Sequence, residues 1–450
     1  MKLQVKSKTI ISDLHTPVSV FLKVRQRYHQ ALLLESSDYS SKENSLSFIC
    51  FDSLDHVKIN FEDAPSISSF VEEMNGFLNK YQIEENTQTL PYNGVFGFIS
   101  YEAIQLFESI SLDQEKQRDN IPLLRYDLYK FILVFDHYYE KLIIIENILN
   151  DAPSELDSIL QMVQGKNDQA FTFKIDGIPE ANMTDNEFTS HVTKCKAHCQ
   201  RGDVFQIVPS RRYKQKFIGD EFNVYRSLRS INPSPYLFYF DYSEYKVFGS
   251  SPEAQLIVKD NVAEIHPIAG TFKRTGEFQD DLALANELKE DPKENSEHVM
   301  LVDLARNDLS KSLRQVEVKE FKTIQFFSHV IHLVSKLTGK LTDKDSAFQV
   351  FADTFPAGTL SGAPKIRAMQ IIDSLEPNHR SFYGGGIGAI FFNGNLNHAI
   401  TIRSFLSIDN FLHYQAGAGI VIDSVEEKEL AEVQNKLAAL KKALSNAENF

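Results

Sequence analysis

The 450-residue sequence is short of positive charge: 47 Lys and Arg stand against 61 Asp and Glu, a net charge of −14. That deficit argues against a phosphate-backbone partner such as nucleic acid and against an anionic membrane surface. No apolar run approaches the roughly 18 residues that a membrane span needs. Met1 to Ile10 alternates polar and apolar residues and lacks the apolar stretch of a secretory leader, so a soluble, cytoplasmic protein is expected. Cysteine is scarce as well. Cys50, Cys195 and Cys199 cannot form a disulfide framework, and the i,i+4 pair Cys195/Cys199 has no neighbours to complete a zinc site, so all three read as reduced structural thiols. Nucleotide fingerprints are missing: the position completing Gly417-x-Gly419-x-x is Ile422, and Gly358 to Lys365 lacks Walker A spacing. What is present is a globular composition, 42% hydrophobic and 24% charged, in a chain long enough for a sizeable core.

Short β-rich runs such as Ala31 to Leu34, Ser47 to Phe51 and Phe131 to Phe135 mark the first 150 residues. A polar connection with a short helix follows from Asp151 to Gly177 and places a lobe boundary near residue 180. Beyond it, helical periodicity (184–199, 291–309, 361–375, 424–444) alternates with strand-like segments (236–242, 387–392, 398–405, 413–422). Phe392-Asn393-Gly394-Asn395 carries hairpin chemistry. An antiparallel α+β architecture is expected rather than a doubly wound sheet.

Two helices carry paired acids. Asp291 followed by Pro292 and Glu294 is a helix start, and at about 100° per residue Glu297 falls within roughly 60° of Met300, Leu301 and Leu304. This places Glu297 in the apolar stripe, where a buried carboxylate needs a cation, a proton or several donors. Glu294, one turn earlier, reads equally well as a ligand or as a capping-box acid. Near the C-terminus, Ser424 and Glu427 form a second capping box, and Leu430, Val433, Leu437, Leu440 and Leu444 form a buried stripe bordered by Glu429, Glu432 and Lys436. On its own that border is an ordinary solvated face with an i,i+4 ion pair. Two Glu-x-x-Glu pairs together suggest oxygen ligands for Mg²⁺.

Three glycine-rich stretches, 267–271, 383–388 and 415–419, offer backbone N–H groups to an anion, though each alone is more often a turn or bulge. Lys365, Arg367 and Arg403 add positive charge in an acidic chain and point to a dianionic substrate, with Arg403 holding a carboxylate.

From Gly202 to Lys436 the ordered motifs GDVFQIVPSRRY, NPSPYLFYF, SSPE, PIAGT, ENSEHVMLVDLARNDL, SHVIHLVS, FPAGTLSGAPKIRAM, YGGGIGAI, QAGAGIV and the Glu429 to Lys436 helix resemble the chorismate-utilising enzymes, most closely the anthranilate synthase large components. The resemblance implies a chorismate-binding α+β fold of two large antiparallel sheets with helices around a central cleft. It implies an N-terminal β-rich regulatory lobe over residues 1–180 and a catalytic lobe over 181–450. The implied reaction is Mg²⁺-dependent amination of chorismate by ammonia, then elimination of pyruvate to give anthranilate. It assigns Mg²⁺ to Glu297 and Glu432, with Glu294 and Glu429 beside them or acting through water. His332, Gln206 and Thr359 form the implied catalytic set. Gly270, Thr271, Tyr383, Arg403, Gly417, Ala418, Gly419 and Lys436 form the implied substrate set. His332 lies in the apolar run 330–334, where the residues alone favour a satisfied core histidine.

Two positions separate the members of the family. Isochorismate and salicylate synthases carry a water-activating Lys where this chain has Gln206, and aminodeoxychorismate synthases commonly carry a Lys where it has Ala269. Unprotonated ammonia is already a nucleophile, so Gln206 with Ala269 fits anthranilate formation; aminodeoxychorismate synthase component I is the alternative. His266, and Phe272-Lys273-Arg274 after Thr271, depart from the family pattern. Leu32 to Ser36 and Asn232 to Tyr236 resemble the family's tryptophan feedback motif, implying a tryptophan site of Glu35, Ser36, Pro235, Tyr236 and Leu237. No cysteine stands in a Gly-x-Cys-x-Gly turn, so a separate glutaminase subunit is the expected ammonia source.

Overall fold

The computed structural model describes residues 1–36, 45–62, 67–84, 89–150, 152–166, 171–326, 330–342 and 346–450, with the side chains of 67–69, 84 and 271 outside that description. The long strand Leu124–Asp136 is where two antiparallel sheets diverge. Along one edge it pairs with Leu46–Ile59; along the other it pairs first with Gly94–Ile99 and then with Lys141–Leu149. One sheet continues through Ala31–Glu35, Tyr236–Asp241, Tyr245–Ser251, Ser404–Ile408, Phe411–Gly417 and Ser210–Gly219 to Phe173–Ala181. The other runs from Gly94–Ile99 through Gly386–Phe391, Leu396–Ile400, Ala254–Lys259 and Val262–Ile265 to Val330–Lys340. The antiparallel α+β architecture is as the sequence predicts, with no closed barrel among the described residues. Residue 180 falls inside the strand Phe173–Ala181, and both sheets interleave strands from either side of it. Strand pairing is set by backbone hydrogen bonds and not by closeness in sequence.

Alternation along the strands feeds two cores. In Tyr236–Asp241, Phe238 and Phe240 belong to one buried cluster with Phe96, Leu256 and Ile387. Leu237 and Tyr239 face the other, where Val433, Leu437, Leu440 and Leu444 of the helix Glu426–Ala447 pack. That helix starts one residue later than the sequence suggests. Val425 is its N-cap and carries no side-chain cap bond, because Ser424 Oγ instead accepts from the Val421 N–H at 3.1 Å.

Two further boundaries differ from expectation, both at functional turns. The 361–375 helix begins only at Lys365, since Gly362 has a φ of 128° and Pro364 sets the first turn. The strand-like run 398–405 is broken between Leu396–Ile400 and Ser404–Ile408, and Arg403 in the gap has a φ of 48°. Among the described residues no helix is long and apolar enough to cross a membrane.

Candidate active site

The helix Pro292–Ser310 starts on Asp291, whose carboxylate accepts from the N–H groups of Lys293 and Glu294. Its cap therefore comes from Asp291 and not from Glu294. The Glu294 carboxylate reaches toward Gly270, where an added Cβ would stand 3.2 Å from Glu294 Oε2. The buried face is His298, Leu301, Val302, Ala305 and Leu309, so Glu297 lies at the edge of the stripe and is half-buried rather than buried. Met300 and Leu304, which place it mid-stripe in the helical arithmetic, are themselves only half-buried.

On the facing helix Glu429 is buried, whereas Glu432 and Lys436 are exposed and ion-paired at 2.8 Å. Burial raises the Glu294 and Glu297 carboxyl groups above the usual range, and the charge of Glu432 pushes both further in that direction. Burial also raises Glu429, with Glu432 adding to it and Lys293 of the first helix opposing it. The charge of Glu432 thus reaches both acids of the first helix, and Lys293 of that helix reaches Glu429. Among the described residues no three acid, His or Cys side chains converge to enclose an ion. Mg²⁺ takes one or two protein carboxylates and completes its shell with water and substrate oxygens, and mutually repelling carboxylates are a donor set of that kind.

Between the helices lies Gln206, on a two-residue strand paired with Gly362–Ala363. Its Nε2 donates to Glu297 Oε1. A Cβ at Gly419 would come within 2.9 Å of Gln206 Nε2 and 3.5 Å of Glu297 Oε1, so the Gly419 backbone lies directly against this pair. Of the three backbone donors expected to hold substrate, Ala418 N–H is engaged by Pro209 O at 3.2 Å, where the two segments approach closely. The Gly417 N–H lies at the Tyr383 hydroxyl, while the Gly419 N–H has no partner among the described residues. Lys436 Nζ donates to Gly417 O at 3.0 Å and ties this turn to the second acid helix.

Gly270, at a φ of 66°, marks a register shift in the pairing of Ile268–Lys273 with Val330–Lys340. The bulge turns its carbonyl to accept from His332 Nδ1 at 2.8 Å. With Nδ1 protonated, the neutral ring carries its lone pair on Nε2. Burial lowers the His332 pKa, and Arg403 lowers it further, which keeps the imidazole neutral at neutral pH. Thr271 pairs with His332 through its backbone, and its side chain lies outside the described residues. A Cβ at Gly270 would meet Leu288 at 2.7 Å and Glu294, and the left-handed backbone adds strain. Gly270→Ala is therefore expected to destabilise the fold by about 1–3 kcal/mol, read as a lower thermal midpoint.

Arg403 has no carboxylate within ion-pair distance among the described residues. Burial lowers its pKa, and the opposing influence is Glu253. Glu253 is a site residue that sequence reasoning missed, although it closes the quoted Ser250-Ser251-Pro252-Glu253 motif. Thr359 Oγ1 donates to Glu253 Oε1 at 3.2 Å, and enclosure raises this carboxyl to about 7. Lys365 and Arg367 do not serve as the expected substrate cations. Lys365 is buried, 2.7 Å from Asp308 and donating to Thr354 O at 2.8 Å, and Arg367 stands 3.6 Å from Asp203. Arg403 and Lys436 are the cations that act on Glu253.

The two halves of the suspected tryptophan site meet in one sheet, with Glu35 opposite Leu237. Glu35 is buried and already accepts from Arg229 Nε at 2.9 Å and from the Tyr225 hydroxyl at 2.6 Å. Ser36, Pro235 and Tyr236 are half-buried and Leu237 is buried.

The model of the chorismate binding enzyme family matches residues 30–442, and the chain belongs to that family. It is 37% identical to anthranilate synthase component 1 of Aquifex aeolicus (strain VF5), over 98% of this chain and 94% of that protein. The crystal structure of anthranilate synthase component I from Streptococcus pneumoniae TIGR4 superposes with a TM-score of 0.77 at 29% identity, covering 96% of this chain and 99% of that one. The fold is also that of the menaquinone-specific isochorismate synthase from Escherichia coli, with a TM-score of 0.78 at 17% identity over 98% and 94% of the two chains.

Proposed function

We propose that this chain is the large component of an anthranilate synthase, aminating chorismate with ammonia and eliminating pyruvate. The reading is carried by the two acid pairs facing across Gln206 and Gly419, with Arg403 and the Glu253–Thr359 pair completing the site. Glu297 and Glu432 would hold Mg²⁺, with Glu294 and Glu429 beside them. When bound, the ion supplies charge neutralisation for a substrate carboxylate. Arg403 and the Gly419 N–H hold the second carboxylate. Glu253, near half protonation at neutral pH, hands its proton to the departing ring hydroxyl. Gln206 has no basic lone pair and orients Glu297, leaving ammonia to attack with its own. Neutral His332 takes up a proton at Nε2 as the ring becomes aromatic.

Product identity tests the proposal. Purified chain given chorismate, Mg²⁺ and an ammonium salt at alkaline pH is expected to release fluorescent anthranilate without an added lyase. Accumulation of a 4-amino product that needs a lyase would assign the folate-pathway alternative. Glutamine alone is expected to give no turnover until a glutaminase subunit is added, and turnover with glutamine by the isolated chain would contradict the partner.

The feedback reading is supported by the meeting of Glu35 with Leu237 beside Pro235. A tryptophan ammonium must compete with Arg229 for Glu35. Initial rates are expected to fall as tryptophan is titrated; an unchanged rate together with a flat calorimetric trace removes the proposal.

A further inference from the structure

The Glu253–Thr359 pair borders a cavity of about 40 Å³ whose polar lining is Glu253, Gln255, Asp308, Thr354 and Thr359, set in an apolar wall that includes Leu301. Gln255 is only 2% exposed. Its Nε2 donates to Thr354 O at 3.2 Å, which fixes the amide, since the exchanged orientation would set oxygen against oxygen. Gln255 Oε1 is left buried without a hydrogen-bond partner among the described residues. Native proteins rarely leave such an acceptor unmet, and a cavity of this size with several polar groups on its wall has room for about two or three waters.

Across the cavity Asp308 is ion-paired with buried Lys365 at 2.7 Å. Asp308 also feels Lys311 and Glu108, which pair with each other at 2.6 Å at the half-exposed edge of the protein. Ionisable groups thus run from solvent to the cavity. The charged groups that act on Glu253 itself are Arg403 and Lys436, neither of which can return a proton to it without losing its own hold on the site.

We propose that this cavity holds water that reprotonates Glu253 after each turnover, with Gln255 as the positioning residue that anchors it. The inference rests on the amination reading. In that reaction the ring carbon–oxygen bond breaks, its electron pair leaves with the oxygen, and Glu253 supplies the proton that makes the leaving group water. Nitrogen bonds to the ring and sheds one proton to solution, so the overall proton count is unchanged. The Glu253 carboxylate then takes a proton from cavity water. That water regains one from the Lys365–Asp308 pair, which is restored from solvent on the Lys311–Glu108 side.

A high-resolution crystal structure of the wild type is expected to show water bonded to Gln255 Oε1 and to Glu253; a dry cavity overturns the proposal. Gln255→Met keeps the side-chain length and removes the acceptor. Its kcat at fixed free ammonia is expected to fall about tenfold, with chorismate KM within about twofold and a larger solvent deuterium isotope effect on kcat. A wild-type kcat and isotope effect overturn the proposal, as does a loss of kcat with the isotope effect unchanged. If the wild type makes no anthranilate, the amination reading has failed, whereas water occupancy of the cavity is judged separately.

Discussion

Glu297→Gln is expected to lower kcat/KM for chorismate about a thousandfold, or about 4 kcal/mol of transition-state stabilisation. Glutamine keeps the shape and still accepts from Gln206, but offers no negative charge to a divalent ion. The folded protein should not suffer. Glu297 has its pKa raised by burial and by Glu432, so its charge opposes folding wherever the unfolded chain would be ionised. Neutralising it removes that opposition at neutral pH. The expected result is therefore a large kinetic loss with an unchanged or higher thermal midpoint. A variant that loses activity only in proportion to its loss of folded protein would contradict a metal role.

Glu253→Gln is expected to lower kcat about a hundred- to ten-thousandfold, the range of a positioned general acid, and to change the pH profile. Glu253 has its pKa raised to about 7, and in the proposed mechanism it acts in its protonated form. At a fixed concentration of free ammonia the wild-type rate should be level below pH 7 and decline as pH rises through it. In the Gln variant that decline should vanish along with most of the rate. Measured kcat against pH for both proteins, with ammonia held as free base, decides the matter. A wild-type rate that climbs through this range would assign Glu253 a base role or none.

These two residues also show what the sequence can and cannot carry. The helices that carry Glu297, Glu294, Glu429 and Glu432 are legible because helical spacing is local, although the same arithmetic sets Glu297 mid-stripe where the structure leaves it half-buried at the edge. Glu253 was not legible, because its significance lies in Thr359, 106 positions away, and in enclosure by strands that the sequence does not pair. Lys365 misled for the same reason in reverse. A lysine after a glycine turn reads as available charge until the fold buries it against Asp308. Arg403 falls within the strand-like run 398–405 of the sequence, yet its left-handed backbone sits in the gap between two strands. Glu35 stands opposite Leu237 in one sheet, but its pairing with Arg229, 194 positions distant, has no local sign in the sequence. The sheets were legible as antiparallel from hairpin chemistry, while their shared strand Leu124–Asp136 rests on pairings between distant segments.

The central claim is that acids from two remote helices jointly serve one divalent ion. It is tested most directly by stripping the wild-type protein with excess EDTA and following chorismate consumption with ammonium as co-substrate, before and after Mg²⁺ is returned. The account predicts loss of turnover on stripping and its recovery with Mg²⁺. Undiminished turnover in excess EDTA would contradict it.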